Sequence, residues 1–173
     1  MLNDCRKAKP MMEFDKTLFA ARADELAARV AAEDGSSILS MMRPRVIACD
    51  PDEPSVAVSY PALSWELNAG GVVHGGVTGI MVDSAMGILA YAITGGMCPT
   101  VNLNISYPRP APKDGTLTVK AKAAMVGHST LFLTAEMWDD RAPGRIVASA
   151  NGVFHNLHQP LYQQVDTAET LAE

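Results

Sequence analysis

The chain has 173 residues, of which 48% are hydrophobic and 19% are charged, so it suits one domain with a real core and is too apolar for a disordered or fibrous protein. Its formal net charge is −5 and no basic cluster is interleaved with aromatic residues, which argues against a nucleic-acid partner. Cys5, Cys49 and Cys98 show no C-x-x-C spacing. Together with an N-terminus that does not resemble a secretion signal, they predict a protein of the reducing cytoplasm.

Residues 13–33 consist mostly of good helix formers and predict an amphipathic helix that stops before Gly35. Its predicted buried stripe contains Phe14, Leu18, Leu26 and Val30. We expect this helix to pack on the outside of the domain, within an N-terminal helical extension covering residues 1–40.

Six segments have the composition of β-strands and are separated by turn-forming residues. The predicted strands cover residues 45–50, 55–60, 100–107, 116–126, 130–138 and 146–155. Short connections predict a hairpin for the first two and an antiparallel meander for the last three. In the segment 100–107, alternation places Thr100, Asn102 and Asn104 on one face and apolar residues on the other.

The main domain is predicted to cover residues 41–157, and the polar residues 158–173 predict a loosely ordered tail.

The least polar stretch of the chain covers residues 72–93, and its only certain charge is Asp83. Four glycines, a histidine and this mid-span aspartate argue against a membrane helix, as does the lack of flanking Lys or Arg. The sequence therefore predicts no membrane partner, and instead a core helix that is apolar nearly all round because a curved antiparallel sheet wraps it. An ionised carboxylate inside such a wrap is costly, so Asp83 needs a structural or chemical reason.

A possible catalytic constellation begins where this helix starts, at His74-Gly75-Gly76. Unpaired backbone N–H groups at a helix N-terminus suit a developing oxyanion, and glycine lets a ligand approach the main chain. Gly75 and Asp83 are eight residues apart on one helix, which is about 12 Å along its axis. One chain therefore cannot bring both groups to one carbonyl, whereas a two-fold dimer with antiparallel helices can.

Several short motifs occur together in this order and spacing. They are Asn68, His74-Gly75-Gly76, Asp83, Thr100-Val101-Asn102-Leu103-Asn104-Ile105 and Arg109-Pro110. On these residues the chain resembles the hotdog-fold thioesterases, in particular the PaaI-like branch associated with phenylacetic acid degradation. The likeness runs from about Arg45 to Asn156.

The resemblance implies an α+β hotdog fold, with a long central helix wrapped by a five- or six-stranded antiparallel sheet and an extra N-terminal helix. It also implies homodimers with shared active sites, often assembled into homotetramers. The implied reaction is hydrolysis of an acyl-CoA to the free acid and CoA. No metal or cofactor is expected, because a thioester is already an activated acyl donor and the CoA moiety belongs to the substrate.

By position in the motifs, the resemblance assigns Asp83 as base or nucleophile and the Gly75 N–H as the group that polarises the thioester carbonyl. Asn68 would orient water or substrate, Thr100 would bond to Asp83 or its water, and His74 would shape the turn and support the carbonyl site. The positions assigned to substrate binding are Gly76, Asn102, Asn104 and Arg109, the last of these toward the CoA phosphates.

Other functions fit the sequence less well. A non-catalytic acyl-CoA sensor on the same fold is the main alternative, although such regulators usually add a DNA-binding segment that this chain lacks. A hotdog hydratase would carry a histidine where this chain has Ile88. The surroundings of Ser129 lack the last glycine of G-x-S-x-G, and His155 and His158 have no carboxylate or cysteine companion for a metal.

The acyl group stays open at this stage, with aryl, medium-chain and long-chain substrates all compatible with the sequence. Met81, Met86 and Tyr91 are apolar candidates for lining an acyl pocket, although such residues on a central helix usually belong to the core.

Overall fold

A computed structural model of the protein describes residues 13–33 and 35–160. Its helices are α1 (Phe19–Ala32), α2 (Ile38–Met42) and α3 (Gly75–Thr94), with a 3₁₀ turn at Ser64–Glu66. Its strands are β1 (Arg45–Asp50), β2 (Ser55–Pro61), β3 (Thr100–Ser106), β4 (Thr116–Val126), β5 (Thr130–Asp139) and β6 (Ile146–His155).

The strands of the described chain form one antiparallel sheet in the order β1-β2-β4-β5-β6-β3. The predicted hairpin and meander are both present. Strand β3 precedes the meander in sequence, but it pairs with the last strand, β6, and forms an edge of the sheet. The sheet packs against α3, as the sequence predicted, so the prediction of a hotdog fold is confirmed. The predicted boundaries of the domain and its extensions stay predictions, and residues 161–173 of the predicted tail lie outside the described residues.

Helix α3 lies in the core, and half of its 20 residues are buried. Its length and mean hydropathy of 1.5 would suffice for a membrane span, but 56% of the most apolar window is buried inside the protein. The apolar surface of α3 is thus covered by the sheet and by α1, which explains a helix that is apolar on nearly every side. It begins at Gly75 with His74 as the N-cap and ends at Thr94, followed by the C-cap Gly95, whose φ of +68° favours glycine.

The N-terminal helix differs from its prediction in length and in part of its buried face. Val30 of the predicted stripe is buried, and Phe14 and Leu26 are partly buried against the core. Helix α1 begins at Phe19 rather than near residue 13, and Leu18 of the predicted stripe is 45% exposed. The residues that α1 buries are Phe19, Ala23, Ala27 and Val30. Three- and four-residue spacing still governs this face, but alanines form its centre and allow α1 to pack closely on α3. Instead of only covering the domain, α1 contributes Phe19 and Ala23 to the core.

Candidate functional site

Asp83 lies on a face of α3 that looks into a cavity of about 490 Å³. The sheet does not cover this face, and the carboxylate is half-buried rather than sealed in the core. The opposite walls of the cavity come from α1, α2 and the segment that leads into β3. Because the cavity keeps it partly solvated, the carboxylate escapes much of the desolvation cost expected for a buried aspartate.

Thr100 is the side chain that meets Asp83, its hydroxyl donating a hydrogen bond of 2.8 Å to Asp83 Oδ1. Simple alternation along β3 would place Thr100 with Asn102 on the outer face. The pairing of β3 with β6 shifts register between Thr100 and Asn102, so one extra residue, Val101, is accommodated there. Such a bulge re-aims the side chain beside it, and here it turns Thr100 toward α3.

Tyr60 lies on the core side of α3 near Asp83, fully buried, and donates its hydroxyl proton to the Met81 carbonyl at 3.0 Å. Burial, with a smaller contribution from the Asp83 carboxylate, raises the pKa of Tyr60 far above its ordinary value. Tyr60 is thus a protonated donor that anchors α3 at Met81, two residues before Asp83.

The start of α3 presents two backbone amides, those of Gly75 and Val77, that have no acceptor among the described residues. His74 Nδ1 accepts a 2.9 Å hydrogen bond from the Gly76 N–H, so the Gly76 amide assigned to substrate binding is already occupied by the cap. The Thr78 N–H bonds to the His74 carbonyl. The Gly75 N–H has no acceptor among the described residues and occupies the first position of the helix, where the dipole favours negative charge. The cap therefore leaves the amide of Gly75 for a ligand.

The loop that carries Asn68 is closed by its own side chain. Asn68 Oδ1 accepts from the Gly70 N–H at 2.8 Å and from the Val72 N–H at 3.4 Å. The Asn68 carbonyl accepts from the Gly71 N–H, and Gly71 has a φ of +73° that favours glycine. The side-chain oxygen of Asn68 is thus used in the turn, which leaves its amide NH₂ as the group that can face a ligand.

Gly75 and Asn68 line a second, smaller cavity of about 190 Å³. Arg109 also lines this cavity, and its guanidinium donates a 2.9 Å hydrogen bond to the Ile146 carbonyl while the residue stays exposed. Asp83 is not among the lining residues. Gly75 and Asp83 thus face separate cavities of one chain, because they lie about 12 Å apart along α3.

The sequence analysis did not single out two residues that hold this helix start in place. Tyr107 donates its hydroxyl proton to the Gly75 carbonyl at 3.0 Å. Room for that contact comes from Gly79, where a Cβ would approach the Tyr107 oxygen to 3.2 Å. Two features of the sequence could have indicated this contact. Alternation places Tyr107 on the inward face of its strand, and Gly79 lies one helical turn after Gly75.

Glu66 is the second missed residue, and it is fully buried. Its Oε2 accepts a 2.9 Å hydrogen bond from the Leu63 N–H, and its backbone carbonyl accepts a 2.7 Å bond from the His74 N–H. Glu66 Oε1 has no partner among the described residues. Burial raises the pKa of the Glu66 carboxyl, against the smaller lowering effect of the Leu63 amide. Only the tertiary structure shows that this acidic residue is buried.

Asn102 and Asn104 are exposed, and within one chain they are not brought to Asp83. Asn104 lies with polar residues of β4, β5 and β6 in a depression of about 570 Å³ on the outer face of the sheet. Their assignment to substrate binding stays a prediction.

The segments considered for other chemistries are ordinary surface features. Ser129 lies in the turn between β4 and β5, with its hydroxyl 3.2 Å from His128 Nδ1 and 3.5 Å from His158 Nε2. Among the described residues, no group of three or more His, Cys, Asp or Glu side chains is arranged to hold a metal ion.

Comparison with known proteins gives a consistent result. The sequence profile of the Thioesterase superfamily matches residues 70–143. Acyl-coenzyme A thioesterase THEM4 of Bos taurus is 33% identical over 89 residues, which are 50% of this chain and 35% of that protein. The chain thus matches about a third of the length of that curated relative.

Two solved structures have the same fold over most of this chain. A phenylacetic acid degradation-related protein from Ralstonia eutropha JMP134 is 28% identical, with a TM-score of 0.63, covering 75% of this chain and 98% of that one. The PaaI protein of E. coli, from the phenylacetic acid degradation operon, is 19% identical, with a TM-score of 0.70, covering 83% of this chain and 99% of that one.

These similarities define a class, the hotdog-fold proteins of the thioesterase superfamily, and this chain is similar to that class in sequence over residues 70–143 and in fold. Within the class its similarity is to the PaaI-like branch, which confirms the resemblance noted in the sequence.

Proposed function

We propose that this chain is an acyl-CoA thioesterase, with Asp83 as base or nucleophile and the Gly75 N–H as the donor to the thioester carbonyl oxygen. The observation that carries the proposal is the combination of a cavity-facing carboxylate, held by Thr100, with a helix N-terminal amide left free by the His74 cap. The name of the THEM4 relative supports the substrate class.

In the proposed reaction, the oxygen of water or of Asp83 attacks the thioester carbon. As the carbonyl oxygen gains negative charge, the Gly75 N–H stabilises it, which is the largest single effect in many acyl transfers. The C–S bond then breaks, and the CoA thiolate leaves and takes up a proton. In the base route Asp83 accepts the proton of the attacking water, whereas in the nucleophile route an acyl-Asp83 anhydride forms and water hydrolyses it. Either route consumes one water and requires Asp83 to be ionised.

The proposal includes a homodimer in which Gly75 of one subunit faces Asp83 of the other. Support comes from the separate cavities of these two groups and from β3, which lies at the sheet edge and pairs with no described strand on its outer side. Val101, on this edge, is 65% exposed. An unpaired edge strand is a ready template for pairing with a second copy, and further assembly into a tetramer is part of the same prediction.

A thiol-release assay over a panel of acyl-CoAs tests the proposal. Wild-type protein should release CoA thiol, and Asp83→Asn should lower kcat at least about 100-fold, the usual cost of losing an aligned acid–base group. An asparagine oxygen still accepts from the Thr100 hydroxyl, so the thermal midpoint should change little.

Binding without turnover on every acyl-CoA would favour a non-catalytic sensor instead. Wild-type turnover with an unchanged rate in Asp83→Asn would keep the activity and remove Asp83 from the mechanism. A cytoplasmic location stays part of the proposal, in keeping with the free thiols of Cys49 and Cys98.

A further inference from the structure

We propose that the cavity beside Asp83 is an acyl groove for elongated aliphatic chains, and that Gly87 sets how long a chain it accepts. This inference rests on the proposed thioesterase function and adds to it the class of acyl group.

The groove follows a single face of α3. The α3 residues that line it are Ile80, Asp83, Ser84, Gly87, Ile88 and Tyr91. Their spacing of three and four residues makes one stripe, and the eleven residue steps it covers extend about 16 Å along the helix. Asp83 lies near one end and Tyr91 at the other, so an acyl chain whose carbonyl is at Asp83 has the rest of the stripe to follow. A stripe of this length suits an extended chain better than a compact aryl ring.

The facing wall comes from the N-terminal helices and the strand side. Its apolar residues are Leu26, Val30, Ile38, Leu39, Pro44, Pro99 and Phe154. The N-terminal extension therefore supplies much of the apolar surface that an acyl chain would contact, a role that its sequence did not indicate.

Two serine hydroxyls in the lining are occupied by local hydrogen bonds. The Ser84 hydroxyl donates to the Ile80 carbonyl at 2.6 Å, and the Ser37 hydroxyl donates to the Glu33 carboxylate. The other polar groups of the lining include the carboxylates of Asp83 and Glu33 and the Tyr91 hydroxyl, and most of the remaining lining is hydrocarbon. Ligand sites of this character, largely apolar with a few placed polar groups and volumes of about 300–1,000 Å³, are typical of small-molecule binding.

Gly87 is one turn beyond Asp83 on the same face, and a Cβ built at this position meets no atom within 4 Å. Glycine in a helix interior is less favourable than alanine by about 0.5–1 kcal/mol, so the space it leaves has an energetic cost. A methyl group introduced here would occupy the groove without displacing the protein's own atoms, and a longer side chain would extend from that open position. Position 87 is thus suited to control the depth of the groove.

The test compares saturated acyl-CoAs from acetyl to palmitoyl, with phenylacetyl-CoA as the aryl competitor, in wild type, Gly87→Ala and Gly87→Leu. In wild type kcat/KM should rise about fourfold per methylene, the value of one buried CH₂, until the groove is full. Leucine adds four carbons at position 87 and so displaces about four methylenes, and the ratio of the best long chain to butyryl-CoA should fall on the order of 200-fold. Gly87→Ala should move the same ratio about fourfold in the same direction and should not lower the thermal midpoint.

Ala28→Leu is the matched control, because Ala28 is an exposed residue of α1 that does not line the groove. It places a leucine on an exposed helix face and should leave the chain-length profile as in wild type. A flat profile in wild type, a preference for phenylacetyl-CoA over every linear chain, or an unchanged profile in both Gly87 variants would overturn the groove assignment while leaving thioesterase activity intact.

If wild type hydrolyses no acyl-CoA, the proposed function fails first, and the groove is then tested by binding alone. Calorimetry with non-hydrolysable acyl-CoA thioethers should show that Kd falls as the chain lengthens. In Gly87→Leu the preference for long chains over the butyryl chain should be reduced. Affinity that does not change with chain length would overturn the groove as well.

Discussion

Gly75→Pro is a substitution that deletes the candidate carbonyl-binding amide and almost nothing else. Proline lacks the N–H, and its fixed φ is well suited to the first position of a helix, which Gly75 occupies. The preceding residue, His74, has φ −62° and ψ 135°, within the extended region that a following proline requires. A Cβ at position 75 meets no atom within 4 Å, and the carbonyl that accepts from Tyr107 is kept.

The expected loss follows from the number of amides available at this helix start. The Gly76 N–H is bonded to the His74 side chain and the Thr78 N–H to the His74 carbonyl, so neither can readily replace the missing donor, and the Val77 N–H lies two residues further along the helix. Loss of one donor to a developing oxyanion typically lowers kcat by about 10²–10³-fold, or roughly 2.7–4 kcal/mol. The free energy of unfolding should stay the same or rise by up to about 1 kcal/mol, because proline restricts the unfolded chain.

The assay pairs steady-state thiol release with thermal unfolding. Gly75→Ala is the companion variant, since it adds a methyl group but keeps the amide, and it should lose less activity than Gly75→Pro. A Gly75→Pro protein with wild-type kcat and an unchanged melting curve would refute the role of this amide. A large loss of activity together with a large loss of stability would indicate instead that the helix start had been rebuilt.

Four further outcomes are expected. Refolding an equal mixture of Gly75→Pro and Asp83→Asn subunits should restore about a quarter of wild-type activity, since half of the dimers are mixed and each has one intact site; no recovery would refute a shared site. Thr100→Val should lower kcat while Thr100→Ser, which keeps the hydroxyl, should retain most of it, so equal losses would contradict the hydrogen-bond argument. His74→Ala should lower stability by about 1 kcal/mol, and His74→Asn, a favoured N-cap, should recover it, as thermal melts will show. Burial raises the pKa of Glu66, so the contribution of its carboxyl to stability is complete below the ordinary glutamate range and is lost as pH rises through the raised value. The melting temperature of Glu66→Gln should therefore increase relative to that of wild type as pH rises.

The sequence determined the elements of this protein through local periodicity. Strands β4 and β6 begin and end at their predicted residues, and the long apolar run became α3 at the centre of the sheet. The order and spacing of Asn68, His74-Gly75-Gly76 and Asp83 also indicated the superfamily. These features depend on residues close together in the chain, which is why they can be read without coordinates.

Tertiary structure decided which faces those elements present. The bulge at Val101 turns Thr100 toward Asp83 against the simple alternation, and the pairing of β3 with β6 sets that bulge. Helix α1 begins at Phe19, so Leu18 lies at its N-cap and is exposed, while Ala23 and Ala27 form the centre of the buried face. The groove beside Asp83 and the space at Gly87 arise from helices far apart in sequence, so their shape depends on how α1, α2 and α3 pack and has no local signal in the chain.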